Sequence, residues 1–148
     1  MIQKFGSARW SGGLRDGQGT LSTQSGTLSD QAYSFAKRFG EEAGTNPEEL
    51  IGAAHASCFA MQMSAFIEQA GTPARAIDAR STVTLTVGAG GAEITRVHVD
   101  VTADVPGMSA EAFQEIAERT KAGCPVSKVL AGSAEITMSA RLGTGAPV

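Results

Sequence analysis

Two cysteines, Cys58 and Cys124, are the only thiols in this chain of 148 residues, and both stand where the surrounding sequence bears on thiol reactivity. Cys58 falls inside Asn46-Pro47-Glu48-Glu49-Leu50-Ile51-Gly52-Ala53-Ala54-His55-Ala56-Ser57-Cys58-Phe59, the front half of a long apolar helix. Cys124 lies in Gly123-Cys124-Pro125-Val126-Ser127, where Gly closes one helix and Pro opens another. A cysteine just before Pro at a helix start lies near unpaired backbone N–H groups that favour the thiolate. A thiolate at mid-helix gains little from the helix dipole, so Cys58 needs a nearby cation to serve as a nucleophile. Together the two thiols suggest a redox couple, which asks the fold to bring their Cα atoms within about 7 Å.

Other chemistry is open to the same residues. Cysteine is among the most buried residue types, so Cys58 within an Ala-rich helix, taken alone, reads as packing before catalysis. His55 shares a helix face with Cys58, three residues on, and a Cys/His pair serves an acyl-transfer nucleophile or supplies two metal ligands. Both readings lack a third group, and the expectation for His55 is that it satisfies a buried hydrogen bond rather than tuning the Cys58 thiol. Cys58, His55, Cys124 and the strand residue His98 form no close-spaced ligand motif, so neither a metal nor another cofactor is expected.

The bulk composition narrows the setting. At 148 residues with 42% hydrophobic content, one compact domain spanning 1–148 can bury a sufficient core without disulfides or metals. Twelve basic residues against fifteen acidic ones, with one Trp and one Tyr, argue against nucleic acid as a partner. The opening Met1-Ile2-Gln3-Lys4-Phe5-Gly6 lacks a signal-peptide pattern, and His55 and Gln62 interrupt the longest apolar stretch short of a membrane span. The expectation is a cytoplasmic protein with no membrane partner, in a reducing compartment where paired thiols are transiently catalytic or sensory.

The elements that must position these residues follow from turn chemistry and periodicity. The first 25 residues read as hairpin strands joined by the Gly12-Gly13 and Asp16-Gly17 turns, and 31–45 as an irregular connection anchored by Tyr33, Phe35 and Phe39. Asn46 as N-cap, Pro47 at the first position and Glu49 completing a capping box start a helix that runs to about residue 70. Its apolar residues occupy nearly every side, which predicts burial all round. Alternation over 81–87 and 94–101 predicts an antiparallel hairpin. Ser109 caps a second helix through about residue 122, with Phe113, Ile116 and Ala117 as its buried stripe; a short helical piece over Pro125–Leu130 and a strand over 134–142 follow. Residues 143–148 read as a loose tail. The fold class is α+β.

With these motifs in view, the run Gly44 to Phe59 and the later Ala122-Gly123-Cys124-Pro125-Val126-Ser127 resemble the OsmC/Ohr family, the osmotically inducible and organic hydroperoxide resistance proteins. The Ala-His-Ala segment before Cys58 and the stretch from Tyr33 to Phe39 are similar to the OsmC branch. The resemblance implies a thiol-dependent peroxidase in which Cys58 corresponds to the peroxidatic cysteine, Cys124 to the resolving one, Arg38 to an activating arginine and Glu48 to its carboxylate partner. It implies an α+β fold with two long central helices packed together and surrounded by antiparallel sheets, in an intertwined homodimer with active sites at the interface. It further implies an organic hydroperoxide substrate and a dithiol reductant, of lipoyl type or another cellular thiol.

The chemistry such a resemblance requires is a thiolate, a cation to stabilise it, and a means of removing sulfenic acid before further oxidation. Ten residues of helix separate Glu48 from Cys58 by about 15 Å, so either Arg38 spans the gap or Glu48 comes from another subunit. An apolar neighbourhood around Cys58, made by Met61, Phe59 and Ile51, would favour peroxides with organic tails. A redox sensor, a Cys/His hydrolase and a binding protein with structural thiols are the alternatives.

Overall fold

A computed structural model describes residues 1–144; of the expected loose tail, 145–148 lie outside the described residues. By internal contact the chain falls into two compact units, Met1–Leu50 and Ile51–Val148.

In the first unit, β1 (Gly6–Ser11), β2 (Gln18–Thr23) and β3 (Gln31–Ser34) form an antiparallel sheet in sequence order. The β1–β2 hairpin pairs Trp10 with Gly19, and β2–β3 pairs Gly19 with Tyr33. Gly19 is needed there, because a Cβ would lie 2.4 Å from the Tyr33 ring and 2.8 Å from that of Trp10. The two rings meet across it with centroids 5.5 Å apart. Of the segment 31–45 read as irregular, 31–39 forms regular elements and 40–45 none: β3 leads directly into α1 (Phe35–Phe39), whose N-cap Ser34 accepts a hydrogen bond from the Lys37 N–H. Elements of four and five residues are too short to show either periodicity.

α2 (Pro47–Gln69) is capped by Asn46, whose side chain accepts from the Glu49 N–H at 2.9 Å, the first half of the expected capping box. The helix is long and apolar enough by composition to cross a membrane, contrary to the expectation that His55 and Gln62 would shorten the stretch. Nor is it buried all round. Gly52, His55, Phe59, Met63 and Ile67 form a buried stripe, while Ala53, Ala54, Ser57, Met61 and Ser64 are exposed. The stripe recurs every three to four residues, the spacing of one helix face.

In the second unit β4 (Ala76–Gly88) and β5 (Gly91–Asp104) form a long antiparallel hairpin, extending several residues beyond the predicted strands. α3 (Ala110–Gly123) is capped by Ser109, whose side chain accepts from the Ala112 N–H, and it buries Phe113, Ile116, Ala117 and Thr120. α4 (Pro125–Leu130) and β6 (Glu135–Leu142) follow. β6 pairs parallel to β5 on the side away from β4, from Arg96–Glu135 to Ala103–Leu142. The sheet is therefore mixed, which corrects the wholly antiparallel expectation: α3 and α4 form a crossover that returns the chain to the starting end of β5. The Gly143 N–H donates to the Ala103 carbonyl at 3.0 Å, so the expected tail is tied at its first residue.

Phe59, Met63 and Ile67 of α2 share one core with Val99, Val101 and Ala103 of β5 and Phe113, Ile116 and Ala117 of α3, and Cys124 belongs to the same cluster. Alternate β5 residues face that core, as period two demands. α2 and α3 also meet at their far ends, where the Arg119 guanidinium stacks 4.0 Å over the Phe66 ring and donates to Gln69.

Candidate active site

The first unit carries a fixed cation. Arg38 lies in the last turn of α1 and Glu48 in the first turn of α2, where an acidic residue also complements the helix dipole. Arg38 donates from Nε to both Glu48 oxygens at 3.2 Å and from Nη2 to Oε1 at 2.7 Å, the forked arrangement that makes a guanidinium–carboxylate pair directional. The guanidinium also lies 5.0 Å over the Phe39 ring. Trp10, Leu14, Tyr33, Phe35 and Phe39 line a cavity of about 230 Å³ with Arg38 at its edge. The Arg38–Glu48 partnership expected from the sequence is thus formed, beside an aromatic cup the sequence did not reveal.

The second unit carries the thiols. α3 ends at Gly123, Cys124 donates its N–H to Thr120 and accepts from the Lys128 N–H, and Pro125 opens α4, so one residue terminates one helix and caps the next. This bend directs Cys124 inward against α2. Its sulfur lies 3.2 Å from that of Cys58. Both are free thiols, in contact across a gap only somewhat longer than the roughly 2.05 Å of a disulfide.

Their environments differ in two respects. Cys124 is fully buried, whereas Cys58 is partly exposed and opens into a groove of about 410 Å³ lined by Ser57, Met61, Gln62, Ala65 and Pro125. Met61 therefore flanks Cys58 as expected. Phe59 and Ile51 do not line this groove, and Phe59 lies wholly in the core. Acidity runs the other way. Burial pushes the Cys58 thiol up, the Val126 N–H pulls against it, and the neighbouring Cys124 adds to the rise. For Cys124, burial also pushes upward, but the Ser127 N–H, the Cys58 thiol, the Ser127 hydroxyl and the Val126 N–H outweigh it and bring it below an ordinary thiol. Within this unit the reachable sulfur and the acidic sulfur are different ones.

His55 is fully buried, and its two ring nitrogens meet serine hydroxyls: Nδ1 lies 2.9 Å from Ser81 Oγ and Nε2 2.8 Å from Ser127 Oγ. Burial holds its imidazole below the ordinary pKa. With both nitrogens engaged, a Cys58–His55 dyad is not formed. Ser81 and Ser127 were not singled out from the sequence; the signal available was that a histidine on the buried side of a helix needs two hydrogen-bond partners. His98 is held on the sheet by Thr137 and Ser139, and among the described residues no three His, Cys, Asp or Glu side chains cluster as metal ligands.

The chain is 47% identical over 141 residues to peroxiredoxin OsmC of Escherichia coli strain K12, a match covering 95% of this chain and 97% of that one. The organic hydroperoxide resistance protein OhrB of Bacillus subtilis shares the fold with a TM-score of 0.70 at 22% identity, covering 94% of this chain and 98% of its own. An organic hydroperoxide resistance protein from Elizabethkingia anophelis does so with a TM-score of 0.73 at 22% identity, covering 97% and 98%. The family model described as OsmC-like protein matches residues 40–139, which take in Glu48, both cysteines and the whole of the second unit's core, and the chain belongs to that family.

Proposed function

We propose that this chain is a cysteine-based peroxidase that reduces organic hydroperoxides, and hydrogen peroxide less well, as one working domain in a cytoplasmic homodimer. The observation that carries the reading is the 3.2 Å approach of the two sulfurs, one open to a groove and one buried behind it. Cys58 is the attacking thiolate, because a substrate arriving from solvent meets it and not Cys124. Its sulfur attacks one peroxide oxygen, the O–O bond breaks, and the other oxygen leaves as an alcohol after taking a proton. Cys124 then attacks the sulfur of the Cys58 sulfenic acid, forming the disulfide as hydroxide departs and is protonated to water. A dithiol, of the lipoyl type that the family resemblance implies, returns two electrons and restores both thiols.

Cys58 needs a cation to offset its burial, and Arg38, oriented by Glu48, is assigned that task. The homodimer supplies the arrangement. β1 is exposed along its whole length and one face of α2 presents Ala53, Ala54 and Met61 to solvent, surfaces suited to exchange between two copies in a symmetric pair. The aromatic cup beside Arg38 and Met61 beside Cys58 give an organic tail apolar surface to leave water for.

Consumption of cumene hydroperoxide and of hydrogen peroxide with a dithiol reductant tests this directly. Cys58→Ser is expected to lose turnover altogether, and Cys124→Ser to complete a first reduction and accumulate a sulfenic acid at Cys58. Undiminished turnover by Cys58→Ser would refute the assignment. The hydrolase alternative is disfavoured by the engagement of both His55 nitrogens.

A further inference from the structure

Two thiols in contact beside a solvent opening are also a chelating pair, and their separation selects what they can hold. The sulfurs of Cys58 and Cys124 lie 3.2 Å apart. Bonds of about 2.3 Å, the length zinc makes to sulfur, span roughly 3.8 Å between two ligands of a tetrahedral centre and roughly 4.6 Å across a linear one, but roughly 3.3 Å when they meet at a right angle. Trivalent arsenic bonds sulfur at a similar length and holds its three bonds in a pyramid close to right angles. The gap in this chain therefore fits a pyramidal centre better than a tetrahedral or a linear one. Ligand count points the same way. Structural zinc is held by four ligands, and among the described residues no third His, Cys, Asp or Glu completes a cluster with the two sulfurs. His55, one turn before Cys58, has both ring nitrogens taken by Ser81 and Ser127. An arsenical of the form R–As(OH)2 needs only the two sulfurs and brings its third substituent with it.

That substituent has a place to go. Cys58 opens into the groove lined by Ser57, Met61, Gln62, Ala65 and Pro125, none of which is charged. Met61, 76% exposed, offers an aryl or alkyl group an apolar surface and a polarizable sulfur. We propose that the reduced chain binds monosubstituted trivalent arsenicals across Cys58 and Cys124, with the organic group in this groove. Two As–O bonds break and two As–S bonds form, and each departing hydroxide takes one thiol proton to leave as water. No electron changes hands, so the step needs neither peroxide nor reductant. Cys124 is fully buried, so the first bond forms at Cys58 and the second closes within the chain. That intramolecular closure makes the pair a far tighter trap than either thiol alone. Binding of this kind goes beyond peroxide reduction and does not depend on it.

The probe is phenylarsine oxide, which water converts to the phenyl-substituted diol, titrated into the reduced full chain in competition with glutathione and followed by native mass. One phenylarsenic group per chain is expected, bound with release of two waters, retained against excess glutathione and removed by the dithiol dimercaptopropanol. Cys58→Ser and Cys124→Ser are each expected to hold the probe about 100-fold more weakly or worse. A single-cysteine variant that binds as tightly as the parent, or a parent adduct that glutathione strips as readily as it strips the variants, overturns the proposal. Cys58→Ser exchanges one atom at the partly exposed position and keeps the experiment decisive where the buried Cys124→Ser does not fold. Met61→Glu, which puts a charge in the groove, should weaken phenylarsine oxide about tenfold and leave inorganic arsenite within about twofold; equal losses would overturn the placement of the organic group. A parent that holds the probe yet still consumes cumene hydroperoxide would refute the role given to Cys58 in turnover and leave this site standing. One that consumes peroxide and binds no probe would do the reverse.

Discussion

Cys58 is open to the groove and Cys124 is the one whose surroundings acidify it, a division that makes physical sense if each thiol is activated for a different partner. On the mechanism proposed above, the buried one needs only to attack its neighbour 3.2 Å away, and fixed N–H groups serve that purpose without solvent. The reachable one must take its charge stabilisation from a side chain brought to it. His55 adds a measurable signature at this scale. Its unfolded-state pKa is near 6.5 and its folded value is lower because of burial, so between the two the unfolded chain holds more protons and stability falls as pH falls. Urea midpoints measured downward from pH 7.5 should therefore decline once pH passes below about 6.5 and continue down through the folded value. His55→Gln should flatten that part of the profile. The sequence identified His55 as either a thiol partner or a satisfied buried group; it did not identify Ser81 and Ser127, which are 26 and 72 residues away and become partners only through tertiary packing.

The helices that position these side chains were legible because their signals are local. Asn46 and Ser109 both cap as their types require, and α4 spans the predicted Pro125–Leu130. What the sequence left out is non-local. The alternation of β6 is the same whether its neighbour runs parallel or antiparallel, so the mixed sheet could not be read from it. The apolar circumference of α2 did not distinguish a stripe packed within the chain from a face left exposed. One position shows how tightly that stripe is docked: a Cβ on Gly52 would lie 2.8 Å from the Ser81 carbonyl oxygen. Glycine there lets α2 approach β4 closely enough for His55, one turn further on, to reach the Ser81 hydroxyl. Gly52→Ala should cost about 1–3 kcal/mol by overpacking, measured by denaturant unfolding, despite the better helix propensity of alanine. An unchanged or raised midpoint would mean that the helix shifts freely against the strand.

At the scale of the whole molecule, the motifs around Cys58 and Cys124 made the family legible before any geometry, because two long runs of residue types had to agree at once. The homodimer is implied only by that resemblance and enters here as part of the proposal. A homodimer with composite sites has a quantitative consequence. Arg38→Gln alone should lower kcat/KM for an organic hydroperoxide by about 100-fold, the scale of one lost electrostatic donor. Mixing Arg38→Gln with the inactive Cys58→Ser under conditions of subunit exchange should restore roughly a quarter of wild-type activity if Arg38 serves its partner's thiol, since half of random pairs are hybrids and each hybrid has one intact site. No recovery after verified exchange would assign Arg38 to its own chain. The order of elements has a further effect on the life of the protein. Cys124 sits in the crossover between β5 and β6, 66 residues after Cys58, so a ribosome adding about 5–20 residues per second makes the first thiol roughly 3–13 s before the second. If the two cysteines act as proposed, every newly made copy passes through an interval in which its reactive sulfur has no resolving partner, and synthesis during an oxidant burst exposes the nascent chain to the irreversible oxidation that the finished one avoids.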